Sequence, residues 1–477
     1  MRNDPPTSNH ELPPPQACDP TTTVRVDGFR SLRQFKIDLR PGLNLLVGPN
    51  GSGKSNFIDF LDFLFTFLRN DAPLAVSRAG GLAKVFSQEN LRKKSPALHI
   101  SINGLASTPP NNAQGQKEGY FRYHYSISLC FNKRASALYV RDEQLKLGRV
   151  WDTIERALLE KHFYGAIQLS RPHLGIDVSP KWAISPRLLV GSARNPLTRT
   201  SRFNATRMTP AEHLQRYLGK LEVSDFEPDR SFLSQFTRSN FPALDAVRTA
   251  MTRGRSFNIS PMQARQADDL SRQPFIDRDG SGLSATLHFL QSLRRGRPTQ
   301  PYFPSDREVD QNTLVQIIDW TKLVYPQLSD IAIHADVALG NYICSLIIGR
   351  DKDNQLRIPF HSISDGTLKW LVLVTILLTS GTTYSIEEPE NFLHPRMQQY
   401  LVAIIRDTLL DRGLDYFLLS THSETIVNQC RAEEILIFDF VGGRTVANRI
   451  REPSKTQEEV NRTGFGLGYY YVNNALS

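Results

Sequence analysis

Residues 42–56 read Gly-Leu-Asn-Leu-Leu-Val-Gly-Pro-Asn-Gly-Ser-Gly-Lys-Ser-Asn, an apolar strand running directly into a glycine-rich turn. Gly48, Pro49, Asn50, Gly51, Ser52, Gly53, Lys54 and Ser55 fit the pattern G-x-x-x-x-G-K-[ST], and a helical run follows from about Ser55 to Arg69. Glycines at these places let the backbone bend so that successive N–H groups point inward at phosphate oxygens. The start of the following helix adds its partial positive charge. In such a loop Lys54 is expected to reach the β- and γ-phosphates of a nucleotide, and the Ser55 hydroxyl to bind Mg²⁺. A chance glycine turn would not carry a strand before it and a helix after it.

Outward from this loop the pattern stays regular. Upstream, TTVRVDGFRSL and QFKIDL alternate apolar and polar residues, with Gly28 and Pro41-Gly42 as turn signals. Residues 1–20 are rich in proline and polar side chains and read as a flexible tail. Downstream, strands are expected at 97–104, 120–131 and 136–142. From about residue 308 helices and strands alternate, the signature of an α/β core with a largely parallel sheet. Between these parts, residues 151–300 hold 22 Lys and Arg against 14 Asp and Glu, nearly all of the chain's net charge of +9. The expected division is a tail (1–20), a lobe with the phosphate loop (21–150), a basic insertion (151–300) and a second lobe (301–477).

Composition narrows the class. With 40% hydrophobic and 22% charged residues the chain is an ordinary globular one. Cys18, Cys130, Cys344 and Cys430 form no CxxC pair and read as idle thiols of a reducing compartment. The first twenty residues lack the apolar centre of a secretory signal. The densest apolar run, Leu371 to Leu378, is too short to span a membrane. A cytoplasmic protein with no membrane part is expected.

A second chemical signal lies at Tyr384-Ser385-Ile386-Glu387-Glu388, an apolar strand ending in two acids. Beside a phosphate loop, one carboxylate can hold Mg²⁺ and the other can orient and deprotonate an attacking water. Glu387 is assigned to the metal and Glu388 to the water. Without the loop, the pair would read as an acidic turn that merely ends a strand.

Four motifs now stand in order: GPNGSGKSN (48–56), ISDGTLKWL (363–371), SIEEPENFLHP (385–395) and LLSTHSETIVN (418–428). Together they resemble ABC-type ATPases, and more narrowly the non-transporter branch of SMC, RecF and OLD-like AAA-family proteins, which includes bacterial anti-phage and abortive-infection ATPases. The opening from Val26 and the stretch DGSGLSATLHFLQSL (279–293) also look like that group. The resemblance implies a P-loop α/β fold, an ABC-type head split by an insertion. It implies ATP and Mg²⁺ as ligands, with residues 48–55 and Asn56 around the phosphates. Ser364 and Gly366 would belong to the signature motif, which caps a helix and touches the γ-phosphate held by a second copy of the chain. His422 would be the switch histidine near that phosphate, and Gln88 a candidate metal-side glutamine. Asn391 to His394 would pack across the dimer.

Two departures bear on turnover. Glu387 stands where the family usually has aspartate, and Mg²⁺ demands near-ideal octahedral geometry. Asp365 stands where transporters have glycine, and a carboxylate near the γ-phosphate repels it unless it is paired or turned away. Slow hydrolysis is expected. The stretch between Lys54 and Ser364 is far longer than in transporter ATPases, and too few residues follow His422 for the nuclease domain of OLD-like enzymes. Any such activity is expected on a separate effector protein. The leading expectation is an ATPase that dimerises around ATP and controls that effector, in an anti-phage setting. The alternative is a RecF-type repair ATPase or clamp that holds DNA or RNA through Arg194, Arg199, Arg202, Arg207, Arg248, Arg253, Arg255, Arg294, Arg295 and Arg297. An arginine-rich solvated face would produce the same composition.

Overall fold

The computed structural model describes residues 20–108, 118–149, 151–159, 163, 165–170, 181–184, 227–235, 242–252, 254–296, 309–349, 355–380, 384–409, 414–473 and 475. In chain order its strands are β1 (Thr22–Asp27), β2 (Phe35–Leu39), β3 (Gly42–Val47), β4 (Ala97–Thr108), β5 (Gly119–Asn132), β6 (Ala137–Leu147), β7 (Gly165–Ser170) and β8 (Lys181–Ile184). There follow β9 (Arg255–Phe257), β10 (Leu328–Asp336), β11 (Asn341–Ile348), β12 (Leu356–Pro359), β13 (Tyr384–Glu387), β14 (Tyr416–Ser420), β15 (Ile435–Val441) and β16 (Arg444–Arg449).

The sheet that positions the phosphate loop has the order β16-β15-β3-β14-β13-β9. All its pairings are parallel except β15 with β16. Strands of such a sheet are covered on both faces and read as continuous apolar runs, as LNLLV and YFLLS do. The period of two then distributes their side chains between two cores. Leu46 and Leu418 join the core around helix Lys54–Arg69. Leu45, Val47, Phe417 and Leu419 join the core around helix Asp365–Thr379. The first helix buries Phe57, Phe60, Phe63, Phe65 and Phe67. The second is buried continuously from Leu368 to Thr379 and is apolar on every face, as a central helix must be.

A second, wholly antiparallel sheet has the order β2-β1-β4-β5-β6-β7-β8. A three-stranded sheet, β10-β11-β12, lies beside helices Leu283–Arg294 and Thr313–Lys322. The ladder of the antiparallel sheet crosses the expected boundary at residue 150, since β7 and β8 extend it. Likewise β9, inside the expected 151–300 insertion, pairs with β13 at the edge of the parallel sheet. Leu283, Leu287 and Leu290 from that same span are core residues. Arg194, Arg199, Arg202, Arg207, Arg253 and Arg297 lie outside the described residues, as does Cys18. Cys130, Cys344 and Cys430 are buried free thiols. No helix among the described residues is long and apolar enough to cross a membrane.

Candidate functional site

The loop after β3 turns through Gly48, Gly51 and Gly53, all at positive φ. A Cβ on Gly48 would run into the Phe438 carbonyl oxygen, and one on Gly53 into the Thr445 side chain, so glycine is required at both. Lys54 is 6% exposed. Its Nζ donates to the carbonyls of Gly48 (2.7 Å) and Pro49 (3.1 Å), across the mouth of the loop. Burial holds its pKa below the usual lysine value, against the pull of Glu388 and Glu390. Ser52 Oγ is buried in the loop with no hydrogen-bond partner. Asn50 and Gly51 are exposed at the tip. Asn56 anchors the helix start: its Nδ2 donates to Ser31 Oγ (2.7 Å), and Arg30 Nη1 donates to its Oδ1 (3.3 Å).

The parallel pairing of β3, β14 and β13 places three strand ends side by side. Glu387, 5% exposed, ends β13 and hydrogen-bonds the Ser55 side chain. Burial raises its pKa, opposed by the Arg278 guanidinium and the Ser55 bond. Glu388 lies in the left-handed region at φ 43°, a strained setting for a residue with a Cβ. Its backbone N–H donates to Ser420 O (2.9 Å), and its carboxylate accepts from Asn391 Nδ2 (3.2 Å). The His422 backbone N–H donates to Glu390 Oε1 (2.7 Å), while the other Glu390 oxygen is buried without a partner. Burial and the Lys54 charge push His422 below the usual histidine value, against Glu388 and Glu390, so the ring is neutral at neutral pH.

Lys54, Ser55, Glu387, Glu388 and His422 are thus brought to one place. No hydrogen bond or ion pair among the described residues joins Ser364 or Gly366 to that group. Ser364 is an exposed N-cap whose Oγ accepts from Thr367 N (3.3 Å). Gly366 packs so closely on the Phe392 carbonyl that a Cβ would come within 2.6 Å of it. Asp365 is paired with Arg265 (2.6 Å), which also donates to Ile363 O (2.8 Å). Gln88 is exposed in the first turn of helix Gln88–Arg92, and no contact among the described residues joins it to Ser55 or Glu387. Of the basic residues, Arg248 pairs with Asp245, Arg294 with Asp330 (3.1 Å), and Arg255 lies over the Phe275 ring (5.3 Å).

Four participants were not identified from sequence. Glu390 sits inside the quoted SIEEPENFLHP motif, and Arg278 directly precedes DGSG, so proximity to both motifs was a signal. Lys369, 2% exposed, donates from the helix it shares with Gly366 to Glu388 O (3.1 Å). Tyr471 shares its hydroxyl with the backbone N–H and carbonyl of Gly48 (3.3 Å each), across a separation of 423 residues that no local pattern reveals.

Parts of the chain are similar to known proteins. The family described as "AAA domain, putative AbiEii toxin, Type IV TA system" matches residues 227–428, and a second AAA-domain family matches residues 23–134. The DNA replication and repair protein RecF of Beutenbergia cavernae is 36% identical over 72 residues, 15% of this chain and 18% of that protein. RecF of Streptomyces avermitilis is 29% identical over 100 residues, 20% of this chain and 26% of that protein. The matches therefore span about a fifth to a quarter of these relatives' length. The SMC head bound to the C-winged helix domain of ScpA is similar at 13% identity over 91% of this chain and 99% of that one, with a TM-score of 0.43. Residues 227–428 and 23–134 are thus similar to AAA-domain families, and a shorter stretch of the chain is similar to RecF.

Proposed function

We propose that the chain binds ATP with Mg²⁺, closes the nucleotide between two copies of itself, and hydrolyses it slowly to control a separate effector. The observation that carries this is the meeting of Lys54, Ser55, Glu387, Glu388 and His422 at the ends of three adjacent parallel strands. The loop residues fit a triphosphate. The glycine turn presents backbone N–H groups, Lys54 supplies a cation, and Ser52 Oγ has no other partner. Ser55 and Glu387 fit Mg²⁺, which takes one or two protein oxygens and completes its shell with phosphate and water. Bound there, the ion would neutralise charge on the transferring phosphoryl group. Glu388 orients the attacking water and accepts its proton. Neutral His422 donates a hydrogen bond toward the terminal phosphate. Lys54 leaves its two carbonyl partners to follow the β- and γ-phosphates.

Control of an effector follows from differential contact. Ser364 would meet nucleotide only in the closed pair, so ATP favours that state and hydrolysis removes the preference. The description of the family matching residues 227–428, which names a toxin–antitoxin system, supports a setting in anti-phage defence. Glu388→Gln removes the base and keeps the shape. With ATP, its mass by light scattering is expected to double relative to the nucleotide-free protein. A variant that stays monomeric at saturating ATP would defeat the sandwich. The charge excess of 151–300 favours a second reading, a RecF-like ATPase acting on DNA or RNA. Its mark would be mobility-shift affinity that falls steeply with salt.

A further inference from the structure

Arg278 is held by its backbone and forked at its side chain. Its carbonyl accepts from Asn258 N (2.8 Å), and the adjoining turn is closed by Asp277 N to Ser281 O (2.9 Å) and Gly280 N to Asp277 O (3.0 Å). Its guanidinium reaches three carboxylates: Asp59 (2.7 Å) and Glu387 (2.7 Å) from Nη2, and Asp62 (2.9 Å) from Nη1. Asp59 is also paired with Arg30, and Asp62 accepts from Ser256 Oγ. Glu387 therefore already carries a resident cation, at Oε1, on the carboxylate proposed to hold Mg²⁺. A metal about 2.0–2.1 Å from that carboxylate and a guanidinium at hydrogen-bond distance repel each other. The repulsion is strong because Glu387 is buried. Arg278 also borders a cavity of about 780 Å³ whose lining includes Arg30, Asp59, Asp62, Arg255 and Phe275 but not Glu387. The guanidinium has room to leave Glu387 while keeping Asp59 and Asp62.

Resting on the magnesium reading above, we propose that Arg278 is a built-in counter-ion of Glu387 that Mg²⁺ displaces toward this cavity. It is a positioning residue that sets how readily the site takes metal. Mn²⁺ titrated into the full chain and followed by electron paramagnetic resonance, with and without a non-hydrolysable ATP analogue, reads this without turnover. Arg278→Ala is expected to tighten Mn²⁺ binding roughly tenfold or more. Arg278→Lys keeps the charge but loses the fork, and is expected to fall between the two. Arg278→Gln serves the same comparison if the alanine variant does not fold. Mn²⁺ affinity unchanged or weakened in these variants overturns the proposal, since it would make Arg278 a bystander or a support for the bound metal. Glu387→Gln separates the two readings. If it leaves Mn²⁺ affinity untouched, the metal assignment falls; if it weakens binding while Arg278→Ala does nothing, only the counter-ion idea falls.

Discussion

Gly48 and Gly51 both sit at positive φ, yet a methyl group would find different surroundings at each. At Gly51 it meets nothing within 4 Å, while at Gly48 it strikes the Phe438 carbonyl of β15. Gly51→Ala should then cost only the left-handed penalty, about 1–2 kcal/mol. Gly48→Ala adds a clash with fixed backbone, so the strand–loop junction must shift. It is expected to lower the melting temperature further and to abolish tight ATP binding. Thermal melts and nucleotide titration of both variants check the ranking, and equal effects would contradict it. The loop was legible because its information is contiguous, with strand, glycines, lysine and helix spanning residues 42–69. Tyr471 was not, because its partner lies 423 residues away, and Arg278 was marked only by its place beside DGSG, with its Glu387 partner 109 residues away. The sequence raised the Asp365 carboxylate as an electrostatic problem, and Arg265 answers it with an ion pair.

At the scale of elements, the central strands and the buried helix Asp365–Thr379 were readable from their continuous apolar runs. The extent of the antiparallel sheet was not. β8 is four residues long and β9 three, too short for alternation to register. One buried lysine ties two elements together. Lys369 leaves its helix to bond the Glu388 carbonyl at the end of β13, and burial lowers its pKa to about 8, with Glu390 and Glu388 opposing. Below that pH the lysine is charged both folded and unfolded, and the folded state bears the full cost of burying it. Between about 8 and the ordinary value of 10.5 the unfolded chain binds the extra proton, so this residue makes stability rise with pH. The slope approaches about 1.4 kcal/mol per pH unit. Urea melts of the wild type and Lys369→Met should therefore show the wild type gaining on the variant from pH 8 to 9.5. Higher pH is avoided because buried Tyr123 and Tyr416, raised by burial, then favour unfolding. A difference that stays flat across the window would remove the linkage.

At the scale of the molecule, the loop tip at Asn50-Gly51 and the cap at Ser364 are both exposed, and no hydrogen bond or ion pair among the described residues joins them. A sandwich needs them to meet across a symmetric pair, where each face supplies what the other lacks. Ser364→Arg tests that requirement because it places a bulky cation on the cap face and leaves the loop untouched. Losing the capping bond to Thr367 N costs about 1 kcal/mol, a fall of about 2–4 °C for a domain of 150–250 residues and less for a larger one, so the fold survives. In the Glu388→Gln background, the added arginine is expected to leave ATP binding by the single protomer intact and to prevent the ATP-induced doubling of mass. Light scattering reads the second property and a fluorescent ATP analogue the first. If the double variant still pairs, the cap is not at the interface. If it no longer binds ATP as a monomer, Ser364 serves the nucleotide of its own chain, and the symmetric exchange of surfaces is not how this protein closes.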